Sequence, residues 1–463
     1  MERKNAWAAY AGDDGKVEAF AKAYCDFINN GKTERECVAY GEKLAKAHGF
    51  EDLNAVVRSG RKLEAGARVY ANWMGKSFML FVLGEKPLEE GMNILGAHID
   101  SPRIDVKQNP LYEDTDLAYL DTHYYGGIKK YQWVAIPLAL HGVIVRKTGE
   151  KVIINIGEDE NDPVFCISDL LVHLAQEQMT KNAKEVVEGE ALNLIVGGRP
   201  LEGEEKDAVK ANVLKLLADK YGVEEEDFLS AELEIVPAGK ARDMGFDRSM
   251  ILAYGHDDRV CAYPSMMAVL DYEGTPEYTL CCIVTDKEEI GSVGATGMAS
   301  HYLENTVAEL YACTADYCEL AVRRCLRNSR MLSSDVSAGY DPNFASAFEK
   351  KNSAFLGRGI CFNKFTGSRG KSGSNDANPE FMASLRKIMD DAGVAFQTAE
   401  LGRVDLGGGG TIAYLCAKYG MNVIDSGIAV LSMHAPYEII SKVDLYEGYR
   451  CYCAFLKNAK PVD

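Results

Sequence analysis

"YTLCCIVTDKEEIGS", Tyr278 to Ser292, decides how this chain is read. Its first half, Tyr278 to Val284, is an apolar run that reads as a buried strand. Three acids follow at once: Asp286, Glu288 and Glu289. Two carboxylates held about 4 Å apart repel by roughly 4 kcal/mol at an effective dielectric near 20. A fold tolerates that where a cation sits, where one group keeps a proton, or where both face water. For an isolated Glu-Glu pair the solvated loop is the ordinary answer, so the rest of the chain has to decide.

Beyond Met250 the pattern alternates. Helical "CAYPSMMAVLDY" precedes the strand just quoted, and helical "GATGMASHYLENTV" precedes a strand at "MLSSDVS". "ANPEFMASLRKIMDDAG", "FQTAEL", "GGGGTIAYLCAKYG" and "NVIDSGIAV" continue as helix, strand, turn-to-helix and strand. Before residue 101 the chain reads as helices, then a hairpin of "RVYANW" and "SFMLFVLG", then the short strand "MNILGAH". Such alternation predicts an α/β domain, a mixed sheet flanked by helices. The block between is different. It holds strand-like "WVAIPLALHGVIV" and "KVIINIG", then helical segments around Val172 and over Val209 to Tyr221. We read it as a β-rich insertion over 102–241, between catalytic parts 1–101 and 242–463.

At 463 residues two domains are expected. A net charge of -18 argues against a nucleic acid or an anionic membrane as partner. The first residues carry charges where a signal peptide needs an apolar core. The longest apolar stretch, Trp133 to Val145, is short of a membrane span. The thirteen cysteines lack the spacing of a thiolate metal site and read as reduced thiols of a cytoplasmic protein.

Five stretches place acids or histidines just after apolar strands, where open α/β sheets collect function. They are "GAHIDSP", "GHDDR", "TDKEEIGS", "SSDVS" and "SMHAP". Taken singly, each has a structural explanation: a satisfied core histidine, a local salt bridge, a helix cap, a loop histidine. Together they offer His98, His434 and several carboxylates, a donor set suited to two zinc ions, with Mn or Co also compatible. Asp100 can hold the second ring nitrogen of His98. One of Glu288 and Glu289 then binds metal while the other serves as general base. The metal charge removes the repulsion between them.

These motifs, in this order, resemble those of the aspartyl aminopeptidase family, a zinc metallopeptidase family related to the tetrahedral aminopeptidases. "HIDSP" from His98 is similar to the family's His-Thr-Asp-Ser-Pro, "DKEEIGS" to Asp-x-Glu-Glu-x-Gly-Ser, and "SMHAPYE" to Met-His-Ser-x-x-Glu. The resemblance spans nearly the whole chain. It implies a two-metal aminopeptidase that removes N-terminal residues from peptides. His98 and Asp335 would hold one metal, Glu289 and His434 the other, with Asp257 bridging. Glu288 would be the base and Asp100 would orient His98. The insertion would be a dimerisation domain, and the assembly a tetrahedral homododecamer.

The chain departs from the family around the substrate. Two histidines that often follow the metal Asp are Ala338 and Asp341 here, and the insertion's first histidine is Asp169. Asp169 and Lys364 remain candidate substrate contacts. Two rival readings follow from the same residues. A carboxypeptidase or amidohydrolase would need a basic clamp, for which Lys364, Arg369 and Lys371 are candidates. A non-catalytic shell protein would need neither the metal set nor Glu288.

Overall fold

The computed structural model describes residues 4–462. The chain divides into two compact units. One runs to Asp100 and resumes over Ala241–Met433 and from Glu438; the other comprises Ser101–Lys240 and His434–Tyr437.

The first unit is built on a nine-stranded mixed sheet. Its order is Glu51–Asp52, Arg68–Trp73, Ser77–Val82, Thr279–Thr285, Met92–His98, Arg330–Ser334, Asn422–Gly427, Ile360–Asn363 and Phe396–Thr398. The four strands from Thr279–Thr285 to Asn422–Gly427 run parallel to one another. Parallel strands need both faces covered, and the side chains alternate accordingly. Leu280, Cys282 and Val284 enter one apolar core; Cys281 and Ile283 enter the other. The adjacent Cys281 and Cys282 therefore point to opposite faces and cannot pair.

Helices Gly15–Asn30, Glu34–Ala47, His256–Leu270, Pro379–Ala392 and Lys442–Asn458 contribute to the first core. Leu53–Ser59, Tyr302–Thr314, Glu319–Asn328 and Ala413–Ala417 contribute to the second. Local chemistry sets several of the boundaries. Thr33 and Glu36 form a reciprocal capping box that starts Glu34–Ala47. Gly393, with φ of 61°, ends Pro379–Ala392 in a left-handed turn that glycine adopts without strain.

The second unit is a six-stranded antiparallel sheet. Its order is Lys151–Ile156, Leu138–Val145, Ala231–Pro237, Arg103–Asp114, Leu117–Tyr125 and Leu194–Gly197. The helix Ala208–Tyr221 contacts this sheet at Arg103–Asp114, Leu117–Tyr125 and Leu194–Gly197.

Two expected helices are revised. Around Val172 there is only a single 3-10 turn, Val172–Leu174. The helix expected from Gly294 begins at Tyr302; the preceding glycine-rich stretch is turn. Among the described residues, no helix is long and apolar enough to cross a membrane.

Candidate metal centre and active site

The parallel strands end together. Thr285 pairs with His98, and Ser334 pairs with Ser426, so Asp286–Glu289, Asp100 and Asp335 all leave the sheet at its carboxyl edge. Asp257 and Asp258 open the helix His256–Leu270 at the same place, joined by a cis peptide bond.

His98 is the centre of the cluster. Its Nε2 lies 3.2 Å from Asp257 Oδ1, 3.9 Å from Glu288 Oε2 and 4.0 Å from Asp335 Oδ1. Its Nδ1 faces Asp100, at 3.3 Å from Oδ1 and 3.0 Å from the main-chain oxygen. A proton on Nδ1 leaves Nε2 as the ligand nitrogen, the usual arrangement of a histidine held by an outer carboxylate. Burial opposes a charged ring here, but the hydrogen bonds to Asp100 and Asp257 and the surrounding carboxylates outweigh it. They hold the imidazole well above its ordinary pKa.

Asp100 does more than orient a ring. Its Oδ1 accepts from the Glu288 amide at 3.1 Å and its Oδ2 from the Glu289 amide at 3.2 Å. One fully buried carboxylate thus fixes both the histidine and the turn Glu288–Ile290.

Two groups of potential ligand atoms converge: His98 with Asp257 and Glu289, and His98 with Asp258 and Asp335. This crowding disfavours the charged form of the acids. Burial and then the charge of Glu288 raise Asp335 well above the usual carboxylate range. Burial does the same to Asp258. Asp258 was not in the expected ligand set. Its Oδ2 accepts from the His98 amide at 3.3 Å, while its Oδ1 is buried with no hydrogen-bond partner among the described residues. An imidazole ringed by buried and half-buried carboxylates, one with such an oxygen, fits a divalent cation.

The remaining residues are placed as follows. Asp286, first of the three opening acids, turns away from the cluster: it accepts from Thr296 Oγ1 at 2.6 Å and faces Lys76 at 3.5 Å. His256, within "GHDDR", is a neutral core histidine, bonded to Tyr24 Oη at 2.7 Å and pushed down to about 3 by burial. His434 is grouped with the second unit and stands outside both convergent groups. Its Nδ1 is 3.0 Å from the Gly127 oxygen. Asp169 is exposed and accepts from the Leu170 amide and Gln178 Nε2. Lys364 and Lys371 both pair with Asp376, at 3.1 and 3.0 Å, and both lysine side chains stay exposed. Ala338 forms a short bridge strand with Ser337, and Asp341 caps the turn Pro342–Ala347.

The sequence over residues 27–456 matches the family described as aminopeptidase I zinc metalloprotease, M18. The chain belongs to the M18 family. It is 58% identical to a probable M18 family aminopeptidase 1 of Clostridium acetobutylicum, over 99% of this chain and 98% of that protein. It is also similar to the crystal structure of an M18 aminopeptidase from Thermotoga maritima, at 44% identity and a TM-score of 0.94, covering 99% and 100% of the two chains. The S. cerevesiae mApe1 dodecamer shares the fold alone, at 21% identity and a TM-score of 0.75, covering 94% and 96%. M18 membership excludes the shell-protein reading and leaves no support for the carboxypeptidase one.

The strand end at Gly427 offers a direct check on the centre. A Cβ there would stand 1.7 Å from the Asp335 carbonyl oxygen, which is backbone and cannot swing aside. Gly427→Ala is expected to displace Asp335, lowering the metal retained after dialysis and reducing kcat/KM at least tenfold. Full metal retention with parental activity would show that Asp335 is not a ligand.

Proposed function

We propose that this M18 metalloprotease is a two-metal aminopeptidase in which His98, Asp335, Glu289, His434 and the bridging Asp257 hold the ions and Glu288 is the general base. The observation that carries this reading is the convergence of one imidazole and the carboxylates of Asp257, Asp258, Glu289 and Asp335 at the carboxyl edge of the parallel strands. Zinc bound there would act as a Lewis acid on the scissile carbonyl and would acidify water. The rest falls to the chain. Asp100 holds His98 in the tautomer that offers Nε2. Glu288 takes a proton from water and returns it to the leaving amine. With 14% of its side chain exposed, Glu288 is positioned to exchange protons with substrate. The surrounding acids favour the cationic α-amino group of a peptide. The Gly127 carbonyl at His434 Nδ1 favours the tautomer that presents Nε2 as ligand.

The second unit is proposed as the dimerisation domain, in a tetrahedral homododecamer that works in the cytoplasm on peptides. Supporting this, Leu170, Leu171, Val172, Leu174 and Met179 are exposed apolar side chains within ten residues of one another. A patch of that kind marks an interaction surface. Light scattering is expected to give a twelve-subunit mass; a monomer across micromolar concentrations would contradict the assembly.

Glu288→Gln is expected to keep two metals per chain and to lose about 10²–10⁴-fold in kcat, the range for general acid–base catalysis. Glu289→Gln is expected to lose metal instead. Metal analysis showing the reverse would exchange their roles.

Specificity follows from the departures at Asp169, Ala338 and Asp341. A substrate carboxylate that loses water on binding needs a cation or donors in return. Carboxylates in place of histidines reverse the local field. Asp-anilide is therefore expected to be no better a substrate than Leu- or Lys-anilide at one pH and one metal. A tenfold preference for Asp would show that these positions do not set specificity.

A further inference from the structure

Asp286 is the acid of the opening stretch that the metal centre leaves unused. It is fully buried, between the strand Thr279–Thr285 and the turn Glu288–Ile290 that carries the base. Its Oδ2 gathers partners from three directions. Thr296 Oγ1 donates at 2.6 Å. Lys76 Nζ reaches it at 3.5 Å from the hairpin, and Lys287 Nζ at 3.5 Å from the next residue along the chain. The main chain ties the same pieces together: the Asp286 amide donates to Ser77 Oγ at 3.3 Å, and Ser77 Oγ donates to the Thr296 oxygen. Lys76 is itself buried and pairs with Glu34 at 2.8 Å. Burial and then the charge of Glu34 push the Asp286 carboxyl up to about 6, and Lys76 works against both.

What this anchorage holds is strained. Lys287 has a φ of 68°, in the left-handed region that a lysine seldom adopts. It is the residue between Asp286 and Glu288, so its backbone sets the direction in which Glu288 leaves the sheet. Strained backbone persists only where its surroundings over-determine it. Here the Lys287 oxygen accepts from the Ser292 amide at 2.7 Å. The Lys287 side chain runs along Gly294, where a Cβ would stand 3.0 Å from its Cδ, and it ends on Asp286. Asp100 accepts from the amides of the two residues that follow, Glu288 and Glu289. The turn is thus held from both ends.

We propose that Asp286 is a positioning residue for the general base: by holding Lys76 and Lys287 on one oxygen it fixes the left-handed backbone from which Glu288 projects. This role rests on Glu288 being the base of the aminopeptidase reading, and it gives the third acid of the opening stretch a part in the same reaction. Asp286 touches neither substrate nor metal. It acts through Lys287, and its effect reaches catalysis only by way of Glu288.

The test uses the full-length, metal-loaded enzyme on Leu-anilide. Asp286→Asn keeps an acceptor for Thr296 and leaves Lys76 its pair with Glu34, so no buried charge is stranded. A misplacement of about 1 Å can cost about 10²-fold in rate. For Asp286→Asn, kcat per metal-loaded enzyme is expected to fall by roughly 10- to 100-fold, with KM and bound metal as in the parent. Lys287→Met removes the partly exposed partner, where folding is not at stake, and is expected to lower kcat in the same way by a smaller factor. In a Glu288→Gln background either substitution is expected to change kcat by less than about twofold, because the group they place is gone. Parental kcat in both single variants would overturn the role of Asp286. So would an equal loss in the parent and in the Glu288→Gln background, since Asp286 would then act on the fold or the metals at large. A Glu288→Gln enzyme with parental kcat would overturn the general-base reading, and the positioning role with it.

Discussion

Too many carboxylates share one edge of this sheet, and the catalytic unit is arranged around that excess. Buried Asp257 and Asp258 and half-buried Asp335 surround His98. Water screens such charges poorly at a buried edge. Relief comes from protons or from cations, and burial together with neighbouring charge raises the pKa of Asp258 and Asp335 accordingly. A divalent cation held there would turn repulsion into attraction at every acid at once, and because its ligands must be deprotonated its binding would strengthen with pH.

An arrangement so unfavourable without its ion has to be held by something else. Asp100 is the main support, because it binds the histidine and both amides of the Glu288–Glu289 turn. Behind it, Lys76 faces Glu34 at 2.8 Å and Asp286 at 3.5 Å, a buried cation among acids of the supporting layer. The cluster's outer boundary is backbone. Gly427 lets the Asp335 carbonyl approach, and the Asp335 amide donates to Ser426 at 2.8 Å. Catalytic side chains on strand ends are placed by the sheet register, so a substitution displaces them only where, as at Gly427, it strikes the strand's own backbone.

How much of this could be read in advance follows from period and position. The strand Thr279–Thr285 was legible because a run buried on both faces leaves few alternatives, and the acids after it then had to lie at a sheet edge. The hairpin Arg68–Trp73 with Ser77–Val82 was legible from its turn. The helix expected from Gly294 was not, since glycines there form turns held by Ser292 and Lys287. Nor was the short turn at Val172, where apolar residues at helical spacing face solvent instead of a core. Within the centre, His98, Asp257, Glu289 and Asp335 converge as ligand atoms must. The spacing of adjacent Asp257 and Asp258 could not tell which of them faces the centre; both do, in two groups that share His98. The difference between His256 and His98, both near acids in sequence, lies wholly in their partners: a tyrosine for one, carboxylates for the other.

The same geometry separates chemistry from choice of substrate. Every group assigned to proton transfer in the catalytic unit stands on a strand end or on the turn that Asp100 fixes. Of the residues expected to distinguish substrates, three stand on loops: Asp169 in an exposed segment, Asp341 at a cap, and Lys364 beside Asp376. Loops tolerate substitution where a sheet edge does not. An acid at Asp169 or Asp341 can thus replace a donor without disturbing His98, and the cost falls on substrates alone. A substrate's α-amino group is a cation whatever residue carries it, so the acidic edge serves every peptide. Its side chain varies in charge and bulk, so discrimination has to come from elements that the metal centre does not hold in place.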